Sequence, residues 1–288
     1  MGIVLGPNQY GKAETHVVRI YRDTPRHRIR DLVVSTTLAG DFDAAHVSGD
    51  QSAVLPTDSQ KNTVFAHAKE HGVDAIEDFA LRLARHFVAD VPGVTAARIE
   101  VDEYEWERIN VGGKGHDHAF ARSGREVRTT AVTVEADGRV DVESGLKDLT
   151  VLKSTGSEFQ GFLRDRYTTL ADTTDRILAT SLVARWRYLG PDIEWSVAYS
   201  QIRDVLLERF ASTHSKALQH TLWEMGRGVL ETRQDVAEIR LTAPNKHHFA
   251  VDLSPFGLDN PGEVFFAADR PYGLIEATVR RDDHPHSR

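Results

Sequence analysis

The order of elements legible in the sequence predicts an α+β protein: antiparallel strands with helices laid against them. Three observations support that class. Runs rich in Val, Ile and Thr follow one another across turn residues, apolar positions recur at three- and four-residue steps in separate blocks, and the order hairpin, helices, strands occurs twice in 288 residues. Residues 16–21 and 29–38 read as the first two strands, with Arg22-Asp23-Thr24-Pro25 as the turn between them. Ile76, Phe79, Ala80, Leu83 and Phe87 then line one stripe of a helix that stops near Pro92-Gly93, since proline cannot continue a helix. Strands return at 96–101 and 127–134, and Asp137-Gly138 signals a tight turn into a strand at 140–153. Another strand is expected at 177–188. Two helical stripes follow, one through Ala198, Ile202, Val205, Leu206 and Phe210, the other through Leu218, Leu222, Met225 and Val229. Ala237, Ile239 and Leu241 alternate with Glu238, Arg240 and Thr242, the period of a half-buried strand. No sequence-level repeat is detectable. The doubled order nevertheless predicts two similar halves, 1–138 and 139–280, meeting near 136–140, and a polar, frayed tail over 281–288.

Composition removes several functions. Thirty-five Lys and Arg against 43 Asp and Glu leave a net charge of −8, so the molecule as a whole repels phosphate backbones and anionic membrane surfaces. No nucleic-acid and no membrane partner is expected. The chain has no run of 18 apolar residues, and Met1-Gly2-Ile3-Val4-Leu5-Gly6-Pro7 lacks the basic start and apolar core of a secretion signal. With no Cys, disulfide scaffolds, thiolate metal sites and Cys nucleophiles are excluded. The chemistry must run on oxygen and nitrogen groups.

Three short motifs fail on inspection. Gly6-Pro7-Asn8-Gln9-Tyr10-Gly11-Lys12 has the spacing of a phosphate-binding loop up to its lysine, but Ala13 stands where Ser or Thr would hold magnesium, and β-branched residues follow where a helix is required. Gly113-x-Gly115 lacks the third glycine of a dinucleotide fingerprint. His116-Asp117-His118 and His247-His248 have metal-ligand chemistry without metal-ligand spacing, and 14 His make such neighbours common by chance. Trp106, Trp186 and Trp195 read as core or subunit-contact residues, and Asp102-Glu103-Tyr104-Glu105 as a solvated strand edge.

The segment from Leu149 through Lys153, Phe159, Phe162 and Tyr167 to Leu170, followed by Arg176, is similar to the signature of the urate oxidase (uricase) family. Tyr10-Gly11-Lys12, Thr57-Asp58-Ser59-Gln60-Lys61-Asn62-Thr63 and Pro244-Asn245-Lys246-His247-His248-Phe249 resemble the same family in the same order, so the likeness runs from about residue 5 to 280. It implies two tandem T-fold halves, each an antiparallel sheet with helices on one face, closing a tunnel-shaped barrel. It further implies a homotetramer with active sites at the contacts between chains. Ending in Pro-His-Ser-Arg, the sequence lacks the Ser-Lys-Leu address of peroxisomal relatives, and a cytoplasmic, bacterial-type member is expected.

Urate is a planar anion, and a site for it needs a flat apolar face, a planar cation and paired donors and acceptors. By the resemblance, Phe159 would stack on the ring, Arg176 would offer its guanidinium to a carbonyl oxygen and ring nitrogen, Gln219 would pair with the opposite edge, and Leu218 would add its backbone amide. Taken alone, Phe159 would be ascribed to the core and Arg176 to a surface ion pair. Lys12 and Thr57 match the family's catalytic pair, with His247 as a third relay member. Asn245 and Thr57 would hold oxygen or peroxide and then water above the ring. Asp58 would contribute a backbone contact, its side chain doing no more than capping a helix. The reaction implied is the first step of urate breakdown, oxidation by dioxygen and water to 5-hydroxyisourate and hydrogen peroxide with no metal and no cofactor. Two readings stay open against it: a metal-dependent amidohydrolase on a related purine or pterin ring through His116, His118 and His247, and a tunnel that binds purines without turning them over.

Overall fold

The computed structural model describes residues 2–282. β1 (Gln9–Tyr21) and β2 (Arg28–Gly40) form the first hairpin, with Tyr21 opposite Arg28 and Lys12 opposite Thr36. β1 starts earlier than its apolar alternation indicates because Gly11, Lys12 and Glu14 interrupt the pattern. Gly11 is required there: a Cβ on it would lie 1.8 Å from the Thr36 carbonyl oxygen, so only glycine lets the two strands approach.

A short helix α1 (Asp43–Val47) precedes α2 (Thr57–Glu70) and α3 (Ile76–Asp90), which pack against the strands of this first region. The expected stripe on α3 is buried through Ile76, Phe79, Leu83 and Phe87, each contributing roughly 1.5–3 kcal/mol of transfer free energy. Glu77 on the same helix is fully buried and held by Arg128 at 2.7 Å and Ser144 at 2.6 Å.

β3 (Val94–Val111) and β4 (Lys114–Glu135) extend well past the predicted strands. The acidic run is not an edge. Asp102, Glu103 and Tyr104 pair with β2 on one side and with Thr129, Arg128 and Val127 of β4 on the other, and Glu103 is neutralised by Arg30. Ion pairing lets charge occupy an interior strand. Between Glu135 and Val140 the chain turns as its Asp-Gly pair requires, with Gly138 at φ 91° and the Glu135 N–H donating to the Arg139 carbonyl at 2.9 Å.

β5 (Val140–Lys153) has the predicted bounds, and β6 (Leu178–Tyr188), α4 (Trp195–Ser212), α5 (Leu218–Thr232) and β7 (Val236–Ala250) follow. β8 (Phe265–Arg280) lay outside the expectation, because much of it, including Phe266 and Leu274, is exposed and carries no clear alternation. The order of the eight strands in the sheet is their order in the chain.

The chain divides into two compact units, Met1–Gly145 with Arg187–Ser196, and Leu146–Trp186 with Val197–Arg288. The first is centred on Leu32, Leu38, Ile99 and the α3 stripe, the second on Trp186, Leu182, Leu222, Met225 and Ile239. Trp195 is buried and donates to Asp78 at 2.7 Å, while half-buried Trp106 donates to Asp31 at 2.8 Å. The polar tail is not frayed at its start: the Arg281 guanidinium donates to the Leu230, Arg233 and Val236 carbonyls at 2.8–3.0 Å. The Leu230 and Arg233 carbonyls lie at the end of α5, where positive charge is favoured, and the Val236 carbonyl opens β7. The rest of the tail, 283–288, lies outside the described residues. Among the described residues no helix is long and apolar enough to cross a membrane.

Candidate active site

Lys12, Thr57 and Asp58 belong to the first unit; Phe159, Arg176, Leu218, Gln219, Asn245 and His247 belong to the second. In the first, Lys12 is half-buried on β1 and its backbone N–H donates to Thr36 Oγ1 at 3.3 Å. Thr57 opens α2 after Pro56, which supplies no side-chain cap. Asp58 does not cap the helix either. Its carboxylate accepts from Lys61 and from Asn62, one turn on, because an exposed first-turn acid lies beside the side chains at i+3 and i+4, here an ammonium and an amide donor. The Lys61 hydrogen bond and charge, then Asn62 and the charge of Lys12, hold that carboxyl below its ordinary value.

The second set is built on the segment 154–177 between β5 and β6. An isolated antiparallel bridge ties Phe159 to Thr173, with reciprocal N–H to carbonyl bonds of 2.9 Å. The Arg176 N–H donates to the Ser157 carbonyl at 2.7 Å, and Asp175 accepts from Thr155 at 2.6 Å and from the Ser157 N–H at 3.3 Å. These bonds fold the segment back so that the Arg176 guanidinium lies over the Phe159 ring, 5.1 Å from its centroid. The other ring contact of Phe159 is with Phe162, stacked at 4.9 Å and 12°.

Ser215 fastens this segment to α5. Its N–H donates to the Gly156 carbonyl at 2.9 Å, its carbonyl accepts from the Glu158 N–H at 2.8 Å, and its hydroxyl accepts from Thr221 at 2.7 Å. Leu218 and Gln219 are the first residues of that helix, Leu218 buried and Gln219 exposed. Ala217 offers no side-chain cap, so the first backbone N–H groups of α5 are open to an acceptor. Asn245 and His247 sit on β7 on either side of a register shift against β8, both half-buried.

Arg176 is the candidate ring-binding residue that has unmet bonding. Its Nε is buried and has no hydrogen-bond partner, and burial pushes the guanidinium below its ordinary value. A cation held this way gains most from a planar acceptor presenting two atoms side by side. His247 is also displaced downward, first by burial, then by the charge of Arg176 and by His248, so the imidazole is neutral at pH 7 and able to take a proton. Among the described residues no three His, Asp or Glu side chains are gathered to hold a metal. His116 and His118 meet edge-to-face on β4, ring centroids 4.5 Å apart, and the His118 N–H donates to His116 Nδ1 at 3.3 Å.

Reasoning from the sequence missed the supports: Thr36, Asp175 and Ser215 carried no motif, and Gln60 stood inside a family-like segment without a role assigned to it. Phe162 was visible only inside the family-like signature.

A guanidinium above an aromatic face, with a neutral imidazole within its field, is an arrangement chemically suited to a planar anion, carried on an antiparallel-sheet protein. The chain belongs to the uricase family: residues 8–133 and 142–276 match the family model for uricase. It is 53% identical over 287 residues to a uricase of Arthrobacter globiformis, covering 98% of this chain and 93% of that one, and 37% identical over 277 residues to a uricase of Danio rerio, covering 94% and 93%. The crystal structure of the Arthrobacter globiformis uricase matches with a TM-score of 0.96 at 52% identity, over 100% of this chain and 98% of that one. A urate oxidase of Bacillus sp. TB-90 matches with a TM-score of 0.84 at 25% identity, over 95% of this chain and 100% of that one.

Proposed function

We propose that this chain oxidises urate with dioxygen and water to 5-hydroxyisourate and hydrogen peroxide, without metal or flavin. The observation that carries the reading is the half-buried Arg176 over Phe159 with its Nε unpartnered, in a chain whose relatives are uricases. Urate stacks on Phe159 and presents adjacent oxygen and nitrogen acceptors to Arg176. Gln219 and the Leu218 amide take other edges, and the Asp58 backbone contributes a further contact. Two electrons pass from the urate dianion to dioxygen, which takes the two protons given up by the ring and leaves as hydrogen peroxide, and a water adds its hydroxyl to a carbon and its remaining proton to a nitrogen of the oxidised ring. The electron-rich dianion reduces oxygen itself, so the protein's work is to deprotonate and to position.

Lys12 and Thr57 form the proton-accepting pair, and His247, neutral at pH 7, relays protons between them and water. Asn245 and Thr57 clamp first oxygen or peroxide, then the attacking water. The element order of two strands, helices and two strands, occurring twice, supports tandem T-fold halves. The assembly this reading expects is a homotetramer enclosing a tunnel, with Lys12 and Thr57 from one subunit meeting Phe159, Arg176 and Gln219 of its neighbour. The cytoplasm is the compartment this reading assigns, in keeping with the acidic, cysteine-free composition.

One assay tests the reaction. Protein treated with chelator and dialysed should consume oxygen and bleach the ultraviolet absorbance of urate; activity that disappears and returns only with added metal supports the hydrolase, and binding without turnover supports the tunnel. A second tests the shared site. Assayed at urate concentrations well below KM, Thr57→Ala and Arg176→Ala homomers should each keep no more than a few per cent of wild-type activity, whereas the two unfolded together in equal amounts and reassembled should regain about a quarter through the intact site of each mixed pair. Mixed assemblies without activity would put both residues in one chain's site.

A further inference from the structure

Lys12 is the last β1 residue in register before a bulge. Lys12 pairs with Thr36 and Thr15 with Val34, so β1 takes three steps where β2 takes two. Glu14, inside the bulge, occupies the left-handed region at φ 55°. A bulge withdraws backbone groups from the ladder and re-aims the neighbouring side chain. Two β2 hydroxyls collect the N–H groups here: Lys12 donates to Thr36 Oγ1 at 3.3 Å and Glu14 to Ser35 Oγ at 3.0 Å.

Thr36 passes the connection on. Its hydroxyl donates to Gln60 Oε1 at 2.7 Å, and Gln60 lies on the first turn of α2, the turn that Thr57 begins. Both residues are shielded, Thr36 at 2% exposure and Gln60 at 0%. The other half of the Gln60 amide, Nε2, is buried with no hydrogen-bond partner. An apolar residue of similar volume would avoid that orphan donor, so the feature the amide adds at this position is the acceptor it turns to Thr36.

We propose that Thr36 and Gln60 are positioning residues, a hydrogen-bonded link that sets the strand carrying Lys12 against the helix carrying Thr57. The inference rests on Lys12 and Thr57 being the proton-accepting pair. Proton transfer through a hydroxyl depends steeply on the separation and angle of its partners, and the link spans the two elements that determine them.

Thr36→Val and Gln60→Met, made in the full-length assembled protein, remove the link while keeping side-chain volume. Each should lower kcat about tenfold, leave KM within about twofold, and displace the pH profile of kcat. Gln60→Met should melt no lower than wild type, since it also removes the orphan donor, and Thr36→Ser, which keeps the hydroxyl, should restore kcat. A folded Gln60→Met protein with wild-type kcat and pH profile overturns the proposal, as does a raised KM at unchanged kcat. Gln60→Met decides alone if Thr36→Val does not fold. Lys12→Met assayed in parallel separates the two levels: if it keeps wild-type kcat, the assignment of Lys12 falls; if it loses activity while the link variants do not, the link alone falls.

Discussion

The two sets of candidate residues are mounted differently. Lys12 and Thr57 stand on a strand and a helix, and what joins those elements is side-chain bonding through Thr36 and Gln60. Phe159 and Arg176 stand on an irregular segment, and what holds it is backbone bonding to Thr173, Ser157 and Ser215. The difference follows from the tasks assigned to them. Groups that move a proton need a fixed separation, which regular elements supply; a face and a guanidinium that receive a ring need open approach, which a loop pinned at its base supplies.

The comparison breaks most readily at the two ends of the chemistry. Replacing Lys12 with Met should lower kcat on the order of a hundredfold or more with little change in KM, measured by steady-state oxygen uptake. Arg176→Ala should act the other way, weakening urate binding roughly thirtyfold, equivalent to about 2 kcal/mol for a lost charge-assisted pair. Exchanged outcomes would assign proton transfer to the loop and ring binding to the strand.

Smaller effects sharpen it. Asp175→Ala removes the bonds from Thr155 and Ser157 and should raise KM a few-fold at constant kcat, with faster amide exchange over 155–176. The hydrogen bond from Thr155, more than any other contact, holds the Asp175 carboxyl below its ordinary value of 3.8. Its contribution to the loop is therefore present above 3.8 and lost as pH falls through the lower folded value. The smallest effect is at His247. Ring-proton NMR should find it titrating below 6.5, so that its contribution to stability is present above 6.5 and lost as pH falls through the folded value. Arg176→Ala should move that titration upward by removing a neighbouring positive charge.

Legibility in the sequence followed apolar pattern. β5 and the α3 stripe were readable because each buries a regular set of Val, Leu, Ile and Phe. α2 gave no such signal, since its buried positions are Gln60, Val64 and Ala68, and β8 leaves Phe266 and Leu274 to solvent. Within the candidate site, periodicity would have placed Phe159 in a core and Arg176 on a surface; the family-like signature singled them out, and the bridge to Thr173 accounts physically for their meeting. The bulge beside Lys12 had no legible cause. It depends on hydroxyls of the facing strand, contacts distant in sequence that no local window contains.

Among the described residues sulfur is nearly absent from the surface. The chain has no Cys and 2 Met, and Met225, the one Met among the described residues, is 2% exposed in the packed face of α5. Peroxide oxidises thiolates readily and thioethers where it can reach them. A catalyst that releases one peroxide per turnover therefore meets its own product with almost no oxidisable sulfur in reach. Among the described residues the thioether that peroxide could oxidise is that of Met225, and reaching it requires local opening around α5.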